Sequence, residues 1–151
     1  MENCYEWDKN QLKFIDINKN SYNFKFRGNK TIVCGESSTG KTLMCTIISS
    51  YIEDNNTGLK PYNTDNIFVV NRYNKDKLKE QKGKFIIIDR AEMLLDDNDV
   101  NTINSDRGLN RYLIFCRKAL GIEVSPNHYA NIVKNNKSLE LYYPLTIRGC
   151  S

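Results

Sequence analysis

Histidine is almost missing from this chain of 151 residues. There is one, His128, with one tryptophan, three prolines and eight glycines. One His and scattered Cys leave too few ligands for a zinc site. A Ser-His-Asp or Cys-His hydrolase would have to use His128, and its sequence neighbours offer no nucleophile. Scarce Pro and Gly exclude a collagen-like or low-complexity chain. No apolar run approaches the ~20 residues that span a bilayer. Residues Met1 to Asn10 are polar and partly acidic, unlike a signal peptide. The five cysteines are odd in number and none lies at C-x-x-C spacing, so they are no disulfide framework. Cys34, Cys45 and Cys116 fall in apolar segments and read as small core residues of a reduced, cytoplasmic protein. A dominant charge is also lacking. Lys and Arg number 22 against 18 acids, a net +4, which is below a dedicated nucleic-acid binder but leaves room for a local basic patch.

What is present is ordinary globular material. Hydrophobic residues make up 40% and charged residues 26%, enough for one core, and the length suits one domain over residues 1–151. Asparagine is plentiful, but that alone carries no mechanism. No internal repeat or linker interrupts the chain.

Periodicity predicts alternating strands and helices. Leu12 to Ile17 and Tyr22 to Arg27 alternate around the turn Asn18-Lys19-Asn20-Ser21, as a β-hairpin does. Tyr22, Phe24 and Phe26 share one face. That face covers a sheet or, alternatively, stacks bases between Lys25 and Arg27. Thr31 to Cys34 is a buried strand. Leu43, Met44, Ile47, Ile48, Tyr51 and Ile52 form one helical face, and Asp54 to Gly58 ends it. Ile67 to Val70, Phe85 to Ile88 and Tyr112 to Cys116 are further buried strands. Lys75 to Lys82 is a short polar helix, Ala91 to Leu95 a helical turn, and Asp96 to Asn110 an acidic, mobile connection. His128 to Val133 and Leu139 to Tyr143 pair around residues 134–137. Buried strands joined by crossovers imply an α/β fold with a mostly parallel sheet of about five strands, plus an antiparallel N-terminal hairpin.

The strongest motif is Gly35-Glu36-Ser37-Ser38-Thr39-Gly40-Lys41-Thr42. It matches G-x-x-x-x-G-K-[ST] at every fixed position, between a buried strand and an amphipathic helix. The chemistry needs this spacing. Two glycines let successive backbone N–H groups point into one concavity. The helix N-terminus adds positive potential. Lys41 brings an ammonium to the β and γ phosphates, and Thr42 offers a hydroxyl to Mg²⁺. A second acid to hold Mg²⁺ should end a buried strand next to the one that enters the loop. Asp89, after Phe85-Ile86-Ile87-Ile88, fills that role.

The loop, followed by an intervening strand and then the acid, resembles the P-loop NTPase superfamily. It resembles the division with an extra strand between the two motifs, which includes AAA+, RecA-like, ABC and STAND ATPases. The likeness implies a three-layer sandwich. In that division a Glu usually follows the metal-binding Asp and activates water. Here Arg90 stands there, and Glu92, three residues after Asp89, either turns to the site as base or faces solvent. Leu113 to Leu120 resembles the strand-plus-arginine sensor of STAND ATPases, which makes Arg117 a reader of the γ-phosphate or else a solvent-facing strand end. The ABC signature, a DEAD-type helicase set and the AAA+ helical lid are absent.

The expected activity is Mg²⁺-dependent binding of ATP, as an ATPase or ATP-driven switch acting through a protein partner or a homo-oligomer. Lys41, Glu92 and Arg117 would be catalytic, residues 35–42 would hold the nucleotide, and Thr42 and Asp89 the metal. Two other readings compete. One is a small-molecule or nucleotide kinase, with Arg107 and Arg111 as lid arginines. The other is a non-hydrolysing subunit of a nucleic-acid-handling complex. No N-K-x-D motif specifies guanine. Tyr5, Trp7 and Tyr22 are candidates to stack on adenine, and Trp7 to pin the N-terminus.

Overall fold

The computed structural model describes residues 2–34, 41–53 and 61–144. In chain order the elements begin with β1 (Glu2–Asn3), β2 (Tyr5–Glu6), β3 (Gln11–Ile15), β4 (Ser21–Lys25) and β5 (Lys30–Cys34). Then come α1 (Lys41–Glu53), β6 (Tyr62–Asn63), β7 (Ile67–Val70), a 3-10 segment (Lys75–Glu80) and β8 (Phe85–Ile88). The chain continues through α2 (Ala91–Leu94), α3 (Asp97–Ser105), β9 (Arg111–Cys116), a 3-10 turn (Pro126–His128), β10 (Tyr129–Asn135) and β11 (Ser138–Tyr142).

Nine strands form one sheet in the order β2-β3-β4-β11-β10-β5-β9-β8-β7. Five of them, β10 to β7 along that order, run parallel. The rest is mixed. The β3–β4 hairpin is antiparallel, and so is β10–β11, but β4 joins β11 in parallel. The sheet rolls until its two ends meet. Tyr5 of β2 stacks on Phe85 of β8 with ring centroids 4.1 Å apart. Asn66, just before β7, donates from Nδ2 to the Tyr5 carbonyl at 2.9 Å, and the short β1 pairs with β6.

This overturns the expected three-layer sandwich around a mostly parallel five-strand sheet. The parallel strands exist, but as part of a nearly barrel-shaped mixed sheet with few helices. The physical reason lies in the aromatic faces of the two hairpins. Phe14, Tyr22 and Phe24 are buried, and a flat edge extension would have left them in water. Rolling the sheet sinks them against Phe85, Phe115 and the α1 residues Met44 and Ile48 in one cluster. The reading of Tyr22, Phe24 and Phe26 as a base-stacking face is excluded by the same burial.

Strand β8 shows how the two faces divide. Phe85 and Ile87 point into the concave core with α1. Ile86 and Ile88 point to a second cluster, beneath Leu78, Ala91 and Ile103 of the outer helices. A run of four apolar residues is what a strand covered on both sides requires.

The stretch from Asp96 to Asn110, expected to be mobile, is ordered. Asp96 caps α3 by accepting from Asp99 N at 2.9 Å, while Asp99 Oδ2 accepts from Asp96 N at 3.0 Å. Lys75 Nζ bonds Asp99 at 3.1 Å and Leu94 O at 3.1 Å, tying the 3-10 segment to α2 and α3. The turn after α3 closes on the Asp106 carboxylate. It accepts from the backbone N–H groups of Gly108, Leu109 and Asn110, from the Asn110 amide and from the Tyr112 hydroxyl at 2.7 Å.

At the N-terminus, Arg111 lies over the Trp7 ring at 4.0 Å and donates to Tyr5 Oη at 3.0 Å and to the Trp7 carbonyl. Trp7 does pin the first strands to β9. Among the described residues no helix is long and apolar enough to cross a membrane.

Candidate functional site

Parallel strands bring the candidate residues to one edge. In register, Ile88 of β8 pairs with Ile114 of β9, and Cys34 of β5 pairs with Cys116 of β9. The three chains therefore leave the sheet side by side at their carboxyl ends, where ligands of parallel sheets bind. Asp89 follows β8, Arg117 follows β9, and Lys41 opens α1. The acid-bearing strand is not adjacent to β5 as expected. Strand β9 stands between them, so Arg117 emerges between the exits that carry Lys41 and Asp89.

Lys41, Asp89, Glu92 and Arg117 line one small cleft with Arg90 and Cys116. The free volume is about 20 Å³, room for a water or a small ion. Lys41 is 5% exposed, which is rare for a lysine. Burial pushes its ammonium below the ordinary lysine range. The Asp89 carboxylate opposes that push, Arg117 reinforces it, and Cys116 and Glu92 oppose it. The cleft thus sets a buried ammonium among two carboxylates and a guanidinium. Burial raises the Cys116 thiol to about 11, so it stays protonated and unreactive near neutral pH.

Local backbone geometry explains how Glu92 arrives. Arg90 has φ 51° and ψ 50°, the left-handed region that a non-glycine residue seldom enters. This single residue turns the chain from β8 into α2, whose Ala91 is buried. Glu92 then faces β9, and its Oε1 accepts from the Arg117 backbone N–H at 2.7 Å. With this bond Glu92 lines the cleft. No local sequence pattern marks this bond, because it depends on the Arg90 turn.

The expectations for Gly35, Glu36, Ser37, Ser38, Thr39 and Gly40 lie outside the described residues, as does the side chain of Thr42 and the loop at 54–58. The stacking candidates are corrected. Tyr5 and Tyr22 are buried in the core. Trp7 is held by Arg111, the first residue of β9, about 20 Å along the strand from Arg117. Arg111 is likewise no lid arginine. Arg107 belongs to the same far end, in the turn where Lys30 Nζ donates to Asp106 O at 3.0 Å.

Among the described residues no three His, Cys, Asp or Glu converge as a metal cage. Comparison with family models, curated proteins and solved structures finds no match to this chain.

Proposed function

We propose that this protein binds a nucleoside triphosphate with Mg²⁺, ATP being the expected nucleotide, and works as an ATP-dependent switch or slow ATPase through a protein partner or a second copy. One observation carries the reading. Lys41, the lysine of the G-x-x-x-x-G-K-[ST] pattern, is buried in the same cleft as Asp89 and Arg117, which come from two other strands. Chance rarely assembles a buried lysine, an acid and an arginine at the carboxyl edge of parallel strands, directly after a phosphate-loop sequence.

In this reading residues 35–42 hold the phosphates by backbone N–H groups and the Lys41 ammonium. Asp89 and Thr42 hold Mg²⁺, which supplies charge neutralisation at the β and γ phosphates. Arg117 contacts the γ-phosphate. Arg90, standing where related ATPases carry their water-activating Glu, favours binding with slow turnover. A cytoplasmic location accompanies this function.

Thermal unfolding with and without Mg²⁺·ATP tests it. Ligand at about 100 times Kd adds roughly 2.7 kcal/mol, a rise of about 5–10 °C for this size. Lys41→Ala is expected to abolish the rise. No shift of the wild type with any nucleotide refutes the proposal, and a full shift in Lys41→Ala moves the site elsewhere.

A further inference from the structure

We infer that Glu92 is a positioning residue for Arg117 and not the base that activates water. The inference rests on the nucleotide reading above and concerns how the same site distinguishes a triphosphate from a diphosphate.

The geometry is specific. Glu92 reaches the cleft from the first turn of α2 and not directly from the end of β8. The left-handed Arg90 redirects the chain, and the first turn of α2 carries the carboxylate across to β9. There Oε1 accepts the main-chain N–H of the first residue beyond the strand at 2.7 Å. An N–H bonded to a carboxylate is a charge-assisted contact, among the stronger hydrogen bonds in a protein. Its effect is to fix the backbone from which the Arg117 side chain departs. Anchoring that backbone fixes the point from which the long arginine side chain departs into the cleft.

Two features make this bond more than local bracing. Arg117 follows β9, the strand between those that lead to Lys41 and Asp89, so a fixed Arg117 backbone is centred on the site. And Glu92 lines the same small cleft as Lys41, Asp89 and Arg117, so the carboxylate that holds the Arg117 backbone also borders the lysine. A group acting this way needs an acceptor oxygen at that position but no titratable proton. A water-activating base needs the carboxylate itself.

Glutamine separates the two roles, because its Oε1 still accepts from Arg117 N. Calorimetric Kd values for Mg²⁺·ATP and Mg²⁺·ADP are to be measured on wild type, Glu92→Gln, Glu92→Ala and Arg117→Ala, each first checked for a cooperative melt. The expected result is that Glu92→Gln keeps the wild-type preference for ATP over ADP within about twofold. Glu92→Ala and Arg117→Ala should both lose about tenfold of that preference, with ADP affinity nearly unchanged. The inference is overturned if Glu92→Ala keeps the preference, if Arg117→Ala keeps it, or if Glu92→Gln loses it as fully as Glu92→Ala. It is overturned equally if Glu92→Gln binds normally but its ATP turnover vanishes. Wild type that binds neither nucleotide refutes the nucleotide reading instead.

Discussion

Asp106→Ala is the sharpest test of the ordered turn that precedes β9. The carboxylate is half-buried and serves five donors. Gly108 and Leu109 can pass their N–H groups to water. The Tyr112 hydroxyl and the Asn110 backbone N–H cannot do so easily, since those residues are 2% and 3% exposed, while the Asn110 side-chain amide keeps its bond to the Gln81 carbonyl at 2.8 Å. Two hydrogen bonds to a charged acceptor at about 1.5 kcal/mol each give a loss near 3 kcal/mol, or about 6–12 °C in Tm for a chain of this size. Tyr112→Phe removes one of the two bonds and should cost about half. The double variant should cost less than the sum, by about 1 kcal/mol. The pH profile follows from linkage. Burial works to raise the Asp106 carboxyl, but the Tyr112 hydroxyl and the N–H groups of Gly108 and Asn110 prevail and hold it below its ordinary value. Its contribution is therefore complete above the normal Asp range and fades as pH falls below about 4. Burial first, and then Asp106, raise the Tyr112 hydroxyl, so that share is complete below about pH 10 and fades as pH rises further. Chemical denaturation of the wild type and the three variants between pH 3 and 11 measures this. A loss under about 0.5 kcal/mol at neutral pH, or a loss that grows on acidification, refutes the reasoning.

Two other outcomes are expected. A Cβ on Gly28 would stand 2.6 Å from His128 Cε1, so Gly28→Ala should cost about 1–3 kcal/mol by overpacking, and His128→Ala should restore most of it in the double variant, as read by denaturant titration. Arg90→Gly relieves the left-handed backbone and should raise stability by about 0.5–1 kcal/mol, with Mg²⁺·ATP still shifting Tm; a destabilised Arg90→Gly would mean that the arginine side chain, not the turn, matters there.

Individual elements were legible in the sequence to a residue or two. Ile67–Val70 and Phe85–Ile88 are continuous apolar runs, and the structure gives them the same bounds. Helix α3 was not legible. Its nine residues contain three Asn and two Asp, poor helix formers, and only Val100 and Ile103 mark its apolar side. The capping pair and the Lys75 bonds supply what propensity does not. The roll of the sheet was hidden because it depends on pairings between distant strands, such as Ser21 with Ser138. Asparagines, given no weight by composition, turn out to be structural ties: Asn66, Asn74 and Asn110 each bond a backbone carbonyl in another segment. For the site, Lys41, Asp89 and Arg117 were legible because each directly adjoins a clear strand or helix end. Their shared cleft follows from the order β5-β9-β8, which no local pattern reveals.

The parallel pair of β4 and β11 has a bearing on how the chain reaches this shape at all. While the polypeptide emerges from the ribosome, the first hairpin is made early, yet its β4 edge stays open until the last hairpin exists. The inner edge of β5 waits for that same hairpin, through β10. Residues 129–142 thus join the N-terminal hairpin to the parallel strands in one sheet. Until they arrive, the chain exposes two unpaired strand edges, the condition under which nascent β proteins depend most on chaperones.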